Sequence, residues 1–407
     1  MSPQHRVLSL VLLGGVFVME GYDIAAMALA VPRLDAALGL EPTSFGLVFS
    51  AILVGLGIGG ALIAPFGDRI GRRPLIAFGC VAVAVFTLAT ATATTITEFL
   101  IWRLLTGIAF GACLPNVSAL SAELAPPRMR ATLMAIVSAG IPLGIALAGL
   151  LAPEVIAVGG WQGLFIVPGI AAAALALVLG RVLASGPPER EAETAPRASR
   201  IPQLELIKAP WALPFGIFAV ILSLNAMNIY YLNSWVPTVL PEAGFTLDEA
   251  ARLTGVFQLA GLVIGVAASL GIDRWRPGAT LIVMFGAMAA SFVAVGLTAP
   301  EPMRWTLLLM VGVGTASAGG MALPALCAYL FPPRLLSSAI GMGVLLARVG
   351  AIAGPPLGQL MLRAEVSPQM FFAAAALPAA LCALAALAVP LALSVRRREN
   401  AAVAATA

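Results

Sequence analysis

The chain has 407 residues, 60% of them hydrophobic and only 10% charged, with a mean hydropathy of +1.00. A soluble core of this length needs far more polar surface, so the composition excludes an ordinary globular enzyme and points to a membrane-embedded protein. The net charge of +4 is scattered over short segments, as membrane topology alone requires, and gives no reason to expect nucleic acid as a partner.

In chain order, apolar runs long enough to cross a bilayer fall at 6–31, 45–66, 75–93, 98–119, 131–152 and 162–184, then at 211–236, 252–272, 280–298, 303–327, 338–360 and 369–394. The reading is an all-α membrane protein of twelve transmembrane helices in two pseudo-symmetric six-helix bundles, 1–184 and 210–407, joined by a cytoplasmic linker at 185–209 that is rich in charge, Pro and Ser. With both termini inside, Arg6, Arg69, Arg72, Arg73, Arg128, Arg130, the basic residues of the central stretch from Arg181 to Lys208, Arg274, Arg276, Arg334 and Arg396 to Arg398 all face the cytoplasm. Only Arg33, Arg252, Arg304 and Arg363 fall outside. This asymmetry predicts a multi-pass membrane protein with cytoplasmic N and C termini. The first run is too long, and its core too acidic, for a cleaved signal peptide.

That first span carries the run MEGYD, with Glu20 and Asp23 where a lipid-facing helix carries no charge. An ionisable group at the centre of a membrane helix costs about 2.5 to 3.5 kcal/mol or more, so such groups persist mainly along pathways for ions, protons or polar solutes. Three residues apart, the two acids share a helix face. They are the candidates for proton coupling, with a structural ion pair to an arginine as the alternative for either one.

Two arginines also lie inside spans. Arg348, near the middle of the eleventh, is the candidate receptor for a substrate carboxylate through its bidentate guanidinium, the alternative being an ion pair with Glu20 or Asp23. Arg103, in the fourth, is evenly balanced between such roles. The seventh span gathers Asn225, Asn228, Tyr230, Tyr231, Asn233 and Ser234. Asn225 and Asn228 are placed to bond a hydroxyl or carboxylate, and Tyr231 to stack on a ring. Tyr22, Asn116, Gln258 and Gln359 are further substrate-binding candidates, and interhelical hydrogen bonding explains each of these polar residues equally well.

The six tryptophans fall at or just beyond span ends, and five or more of them are expected to be interface anchors. Cys80, Cys113, Cys327 and Cys382 are isolated in apolar spans and read as packing residues. Lys208 is the only lysine and lacks the setting of a phosphate-binding loop, and the only histidine, His5, is terminal, which excludes a histidine-based metal site.

An internal repeat runs through the chain. Leu124 to Arg128 (LAPPR) returns 206 residues later as Leu330 to Arg334 (LFPPR). Gly55, Gly59 and Asp68-Arg69 return as Gly261, Gly265 and Asp273-Arg274 at nearly the same offset. Parallel repeats of this kind predict halves related by an axis along the membrane normal, with the solute site near midplane between them. The charges at the repeated loops, Asp68, Arg69, Arg72, Arg73, Asp273 and Arg274, together with Glu123 at the end of the fourth span, are gating candidates. They can pair with one another and with helix ends to pin one state of a cycle, the competing reading being topology alone.

The loop GDRIGRRP, Gly67 to Pro74, resembles the signature loop of the major facilitator superfamily, and the resemblance covers essentially the whole chain. Two departures are Ala64 in place of the usual glycine and the shortened second copy, IDRWRPG. MEGYDIAAMALAVP, WRLLTGIAFGACLPNVSAL and YYLNSWVPTVL are similar to strings of the aromatic acid:proton symporter branch, most of all its 3-(3-hydroxyphenyl)propionate and hydroxybenzoate carriers. Glu20 stands where that branch usually has aspartate. Arg103 resembles the fourth-helix arginine that the superfamily links to proton coupling. The fifth span lacks the GPxxGG string of drug antiporters.

The resemblance implies a secondary transporter, not an enzyme. It would import an aromatic carboxylate with protons by alternating access, act as a monomer in the lipid bilayer, and need no cofactor beyond the proton as coupling ion. A proton-driven exporter or antiporter of hydrophobic or acidic compounds is the alternative.

Overall fold

Apolar runs of this length satisfy their own backbone as helices, since a bilayer offers neither N–H nor C=O a partner. The computed structural model describes residues 3–126, 130–184 and 202–406. Arg128 and most of the expected linker, 185–201, lie outside the described residues. Among those described, eleven helices are long and apolar enough to cross a membrane.

One of them, Ile136–Val182, holds two passes. A straight helix of 45 residues is about 68 Å long, roughly twice the hydrocarbon core. At Gly160 the backbone turns to φ 62° and ψ −167°, outside helical values, and the Gly163 Cα lies against the Val155 backbone, so the chain reverses there. Glycine takes this positive φ without a Cβ penalty. Division at Gly160 gives the fifth and sixth spans and restores the twelve passes read from the sequence.

Two compact units partition the chain. The first comprises Met1–Ala195, Asn233–Gln258 and Pro355–Ala364; the second comprises Pro196–Leu232, Leu259–Gly354 and Glu365–Ala407. Within the first, the second and fourth spans touch through two GxxxG pairs. Gly55 and Gly59 lie on the carbonyls of Leu104 and Ile108, and Gly107 and Gly111 on those of Ile52 and Leu56. A Cβ at any of the four would collide with backbone, which is why small residues recur there. The first and fifth spans meet similarly, with Gly21 against Ile141 and Gly144 against Val18 and Tyr22. This contact brackets the turn that carries Glu20 and Asp23. In the second unit the seventh and eleventh spans approach where Gly350 meets Ser223 and Gly354 meets Met227 and Tyr231.

The tryptophan expectation needs correction. Trp161, Trp211, Trp235 and Trp305 are buried, and only Trp275 is largely exposed, at 63%. The buried rings pack edge-on or tilted against phenylalanines, for example Trp161 with Phe99 and Trp305 with Phe372, each at 5.8 Å. Helix ends in a bundle face one another as well as lipid, so position at a span end does not distinguish an anchor from a packing residue. All four cysteines are free and buried.

Candidate functional site: a buried ion pair in the first half

A capping box opens the fourth span. The Thr95 hydroxyl accepts from the Glu98 N–H at 3.2 Å, and the Glu98 carboxylate accepts from the Thr95 N–H at 3.1 Å. This fixes the start of the helix at Ile96 and carries Arg103 about two turns inward. There its Nη1 donates to Asp23 Oδ2 at 2.6 Å, and both side chains are almost wholly buried. The other guanidinium nitrogen, Nη2, donates to Thr90 Oγ1 at 3.0 Å and to Thr106 Oγ1 at 3.4 Å. Asp23 Oδ1 accepts from Thr87 Oγ1 at 3.1 Å. Phe165, in the sixth span, lies under the guanidinium, 5.3 Å from ring centroid to Cζ.

Asp23 thus takes Arg103 as its partner, which is the ion-pair alternative weighed for it. The arrangement joins the first, third, fourth and sixth spans in a single polar core. Glu20 is also buried, at 3% exposure, one turn away. The Tyr22 hydroxyl, next to Asp23 in sequence, is buried with no hydrogen-bond partner among the described residues.

Sequence reasoning did not single out Thr87, Thr90, Thr106 or Phe165. Two signals were available. Thr87 and Thr90 are three residues apart on one helix face. Phe165 also recurs as Phe371 at the 206-residue offset.

In the second unit the polar residues of the seventh span are spent on carbonyls. Asn225 donates to Ala316 at 3.1 Å, Asn228 to Ala375 at 3.0 Å and Tyr231 to Phe371 at 2.8 Å. The Tyr231 ring lies flat on Phe371 at 4.6 Å, so one face expected to meet a substrate ring is already covered. Asn225 Oδ1 is buried without a donor among the described residues. Arg348 is half-buried and forms no hydrogen bond or ion pair among the described residues, so it is not the partner of Asp23.

Other candidates pair elsewhere. Asn116 bonds the carbonyls of Ala64 and Ala112 and fills the space beside Gly67, which ties the fourth span to the end of the second. Gln258 donates to Asn233 at 2.9 Å and Gln359 to the Thr43 carbonyl at 2.6 Å, both within the first unit. That unit also holds the Arg33–Asp248 pair at 2.9 Å, the Arg252–Glu154 pair at 2.5 Å, and Trp235, which donates to the Pro355 carbonyl while standing edge-on to Phe49. None of these charged residues was a sequence candidate.

At the repeated loops, Arg72 bonds Asp68 at 3.0 Å and also Glu123, while Arg69 lies over Phe66 at 5.9 Å. Arg73 is half-buried beside them. These groups are partly solvated, and exposed pairs contribute only about 0–1 kcal/mol each. In the second copy Asp273 accepts from the Tyr329 hydroxyl at 2.8 Å, and Arg274 is exposed.

Comparison with known proteins assigns the architecture. The Major Facilitator Superfamily model matches residues 11–343. The chain belongs to the Major Facilitator Superfamily. It is therefore a multi-pass membrane transporter and not an enzyme. Its superfamily relatives include a gallate transporter of Pseudomonas putida, 29% identical over 94% of this chain and 92% of that protein. A 4-hydroxybenzoate transporter of Pseudomonas aeruginosa is 29% identical over 95% and 93%, and a 3-(3-hydroxy-phenyl)propionate transporter of Escherichia coli is 29% identical over 89% and 88%. Among solved structures, a D-xylose-proton symporter superposes with a TM-score of 0.75 at 19% identity, covering 94% of this chain and 96% of that one. A bacterial Spinster homologue superposes at 0.74 and 17%, covering 97% and 98%. At such identities these structures establish the fold alone.

Proposed function

We propose that this transporter imports a hydroxylated aromatic carboxylate, of the hydroxybenzoate or hydroxyphenylpropionate type, together with protons across a bacterial inner membrane. The observation that carries the reading is the Asp23–Arg103 pair, buried among threonine hydroxyls and a phenyl face. Buried ion pairs are weak contributors to net stability, because desolvation offsets most of the attraction, so one kept inside a membrane helix bundle calls for another reason.

A proton supplies that reason. Arg103 remains cationic, since a guanidinium does not give up its proton in proteins. Protonation of Asp23 removes the charge that holds it, and Thr90, Thr106 and Phe165 are left to retain the arginine by neutral contacts. The pair is then a two-state element whose equilibrium is set by one proton, which is what a coupled carrier requires. Glu20, one turn away, tunes that site or meets the substrate.

The substrate class rests on the relatives named above, whose gallate, 4-hydroxybenzoate and hydroxyphenylpropionate share a phenolic ring and a carboxylate. An anion moving into a negative interior is opposed by about 2.3 kcal/mol per 100 mV, which one cotransported proton cancels and a second reverses. Arg348, a cation without a side-chain partner among the described residues, is the proposed carboxylate receptor. Asn225, Asn228 and Tyr231 are further proposed substrate-binding residues in the same half.

The test is uptake of radiolabelled gallate, 4-hydroxybenzoate and 3-(3-hydroxyphenyl)propionate into proteoliposomes under an imposed inward proton gradient. Accumulation above equilibrium, abolished by a protonophore, is the expected result. Efflux from preloaded vesicles without any uptake would instead identify an exporter.

A further inference from the structure

The two copies of the repeated loop have diverged chemically. In the first, Asp68 and Glu123 are both bonded to Arg72. At the repeat offset, Asp68 corresponds to Asp273 and Glu123 to Tyr329, while Arg72 falls on Pro277 or Gly278. The shared cation has been lost, and two carboxylates facing each other without it would repel. Tyrosine at 329 removes one of those charges and donates its hydroxyl to Asp273 at 2.8 Å. The second copy is therefore satisfied without an arginine.

Arg274 and Arg276 are therefore not needed to hold an acid in this copy. Both are exposed, and neither forms a side-chain hydrogen bond or ion pair among the described residues. Trp275 stands between them, 63% exposed, and its backbone N–H is tied to the Gly271 carbonyl at 2.9 Å. One membrane helix ends at Arg274 and the next begins at Pro277, so the three side chains are held at the edge of the bilayer. Indole settles at headgroup depth, and guanidinium is a bidentate partner for phosphate. The carboxylate in the neighbourhood, Asp273, is engaged with Tyr329, and the loop keeps a net positive charge.

We infer that Arg274, Trp275 and Arg276 form a seat for the headgroup of an anionic phospholipid such as phosphatidylglycerol. Charge complementarity favours an anionic headgroup over a zwitterionic one. The seat is a product of repeat divergence, since in the first copy the corresponding loop spends Arg72 internally.

Fluorescence quenching of the intact protein in nanodiscs tests this. One set contains brominated phosphatidylglycerol in plain phosphatidylcholine, the other brominated phosphatidylcholine in plain phosphatidylglycerol, with equal bromine. The Trp275 signal is the difference between the native chain and Trp275→Phe. Brominated phosphatidylglycerol is expected to quench it at least about twofold more than brominated phosphatidylcholine. That excess should disappear in Arg274→Gln/Arg276→Gln, whose monodispersity on size exclusion reports intact folding, and should survive added inorganic phosphate. Equal quenching by the two lipids overturns the proposal, as does an excess that persists without the arginines. Loss of the excess on adding phosphate indicates a soluble-anion site and overturns it too. None of these outcomes depends on which solute the protein carries.

Discussion

The polar cores of the two halves occupy related places in the repeat but use different chemistry. In the first half a carboxylate and a guanidinium meet at 2.6 Å, with threonine hydroxyls at both ends and Phe165 beneath. At the 206-residue offset Asp23 becomes Ile229 and Arg103 becomes Leu309, whereas Phe165 persists as Phe371. The second half replaces the ion pair with neutral bonds from Asn225, Asn228 and Tyr231 to backbone carbonyls, and Tyr231 stacks on Phe371. A duplicated scaffold has kept its aromatic floor in both halves and a titratable pair in only one. On the proposed reading, the proton belongs to the first half, and the second holds shape and, through Arg348, the anion.

This asymmetry can be broken in several ways. The largest effect is expected from Asp23→Asn, which should reduce gradient-driven accumulation to the level of empty vesicles and keep counterflow exchange of labelled for unlabelled substrate. Retention of concentrative uptake would move the proton site elsewhere. Next comes Arg103→Ala, which strands a buried carboxylate and should lower stability by roughly 3–5 kcal/mol in chemical denaturation. The double variant Asp23→Leu/Arg103→Leu should recover most of that loss, since a buried pair replaced by apolar side chains is close to neutral. If it is as unstable as the single variant, the pair is not an isolated unit.

Smaller effects belong to the second half. Arg348→Lys should weaken binding of 4-hydroxybenzoate about tenfold in calorimetry and leave thermal stability unchanged, because an ammonium cannot present the bidentate fork. Unchanged affinity would place the carboxylate elsewhere. Smallest is Tyr231→Phe, which removes one neutral hydrogen bond worth about 0.5–1.5 kcal/mol and should not alter the proton dependence of uptake. A changed proton dependence there would erase the division between the halves.

Much of the fold was legible because membrane burial imposes a simple code. Apolar length marks the spans, arginine asymmetry marks their ends, and the LAPPR and LFPPR strings reveal the duplication. The break between the fifth and sixth spans was legible too, because the apolar runs 131–152 and 162–184 together exceed the length of a single crossing. Glu20, Asp23 and Arg103 announced themselves as charges out of place. Their pairing did not, because sequence ranks cations by chemistry and only packing decides which carboxylate each one reaches. Thr87 and Thr90 were hidden for the opposite reason, since a threonine hydroxyl can bond its own helix backbone and is unremarkable inside a span. Asn116, Gln258 and Gln359 looked like ligand groups because an unpartnered amide and one that clasps a neighbouring carbonyl read alike. The buried Trp235 misled for a similar reason, since a span end facing another helix has the same composition as one facing lipid.

The most direct test follows proton movement itself. Proteoliposomes with no imposed gradient, in weakly buffered medium, are given gallate or 4-hydroxybenzoate while an external pH-sensitive dye is recorded. The native chain is predicted to draw protons inward with the substrate and make the medium more alkaline, and Asp23→Asn to give no pH change while still exchanging labelled substrate. Proton uptake of native size in Asp23→Asn, or substrate entry without proton movement in the native chain, would contradict the account.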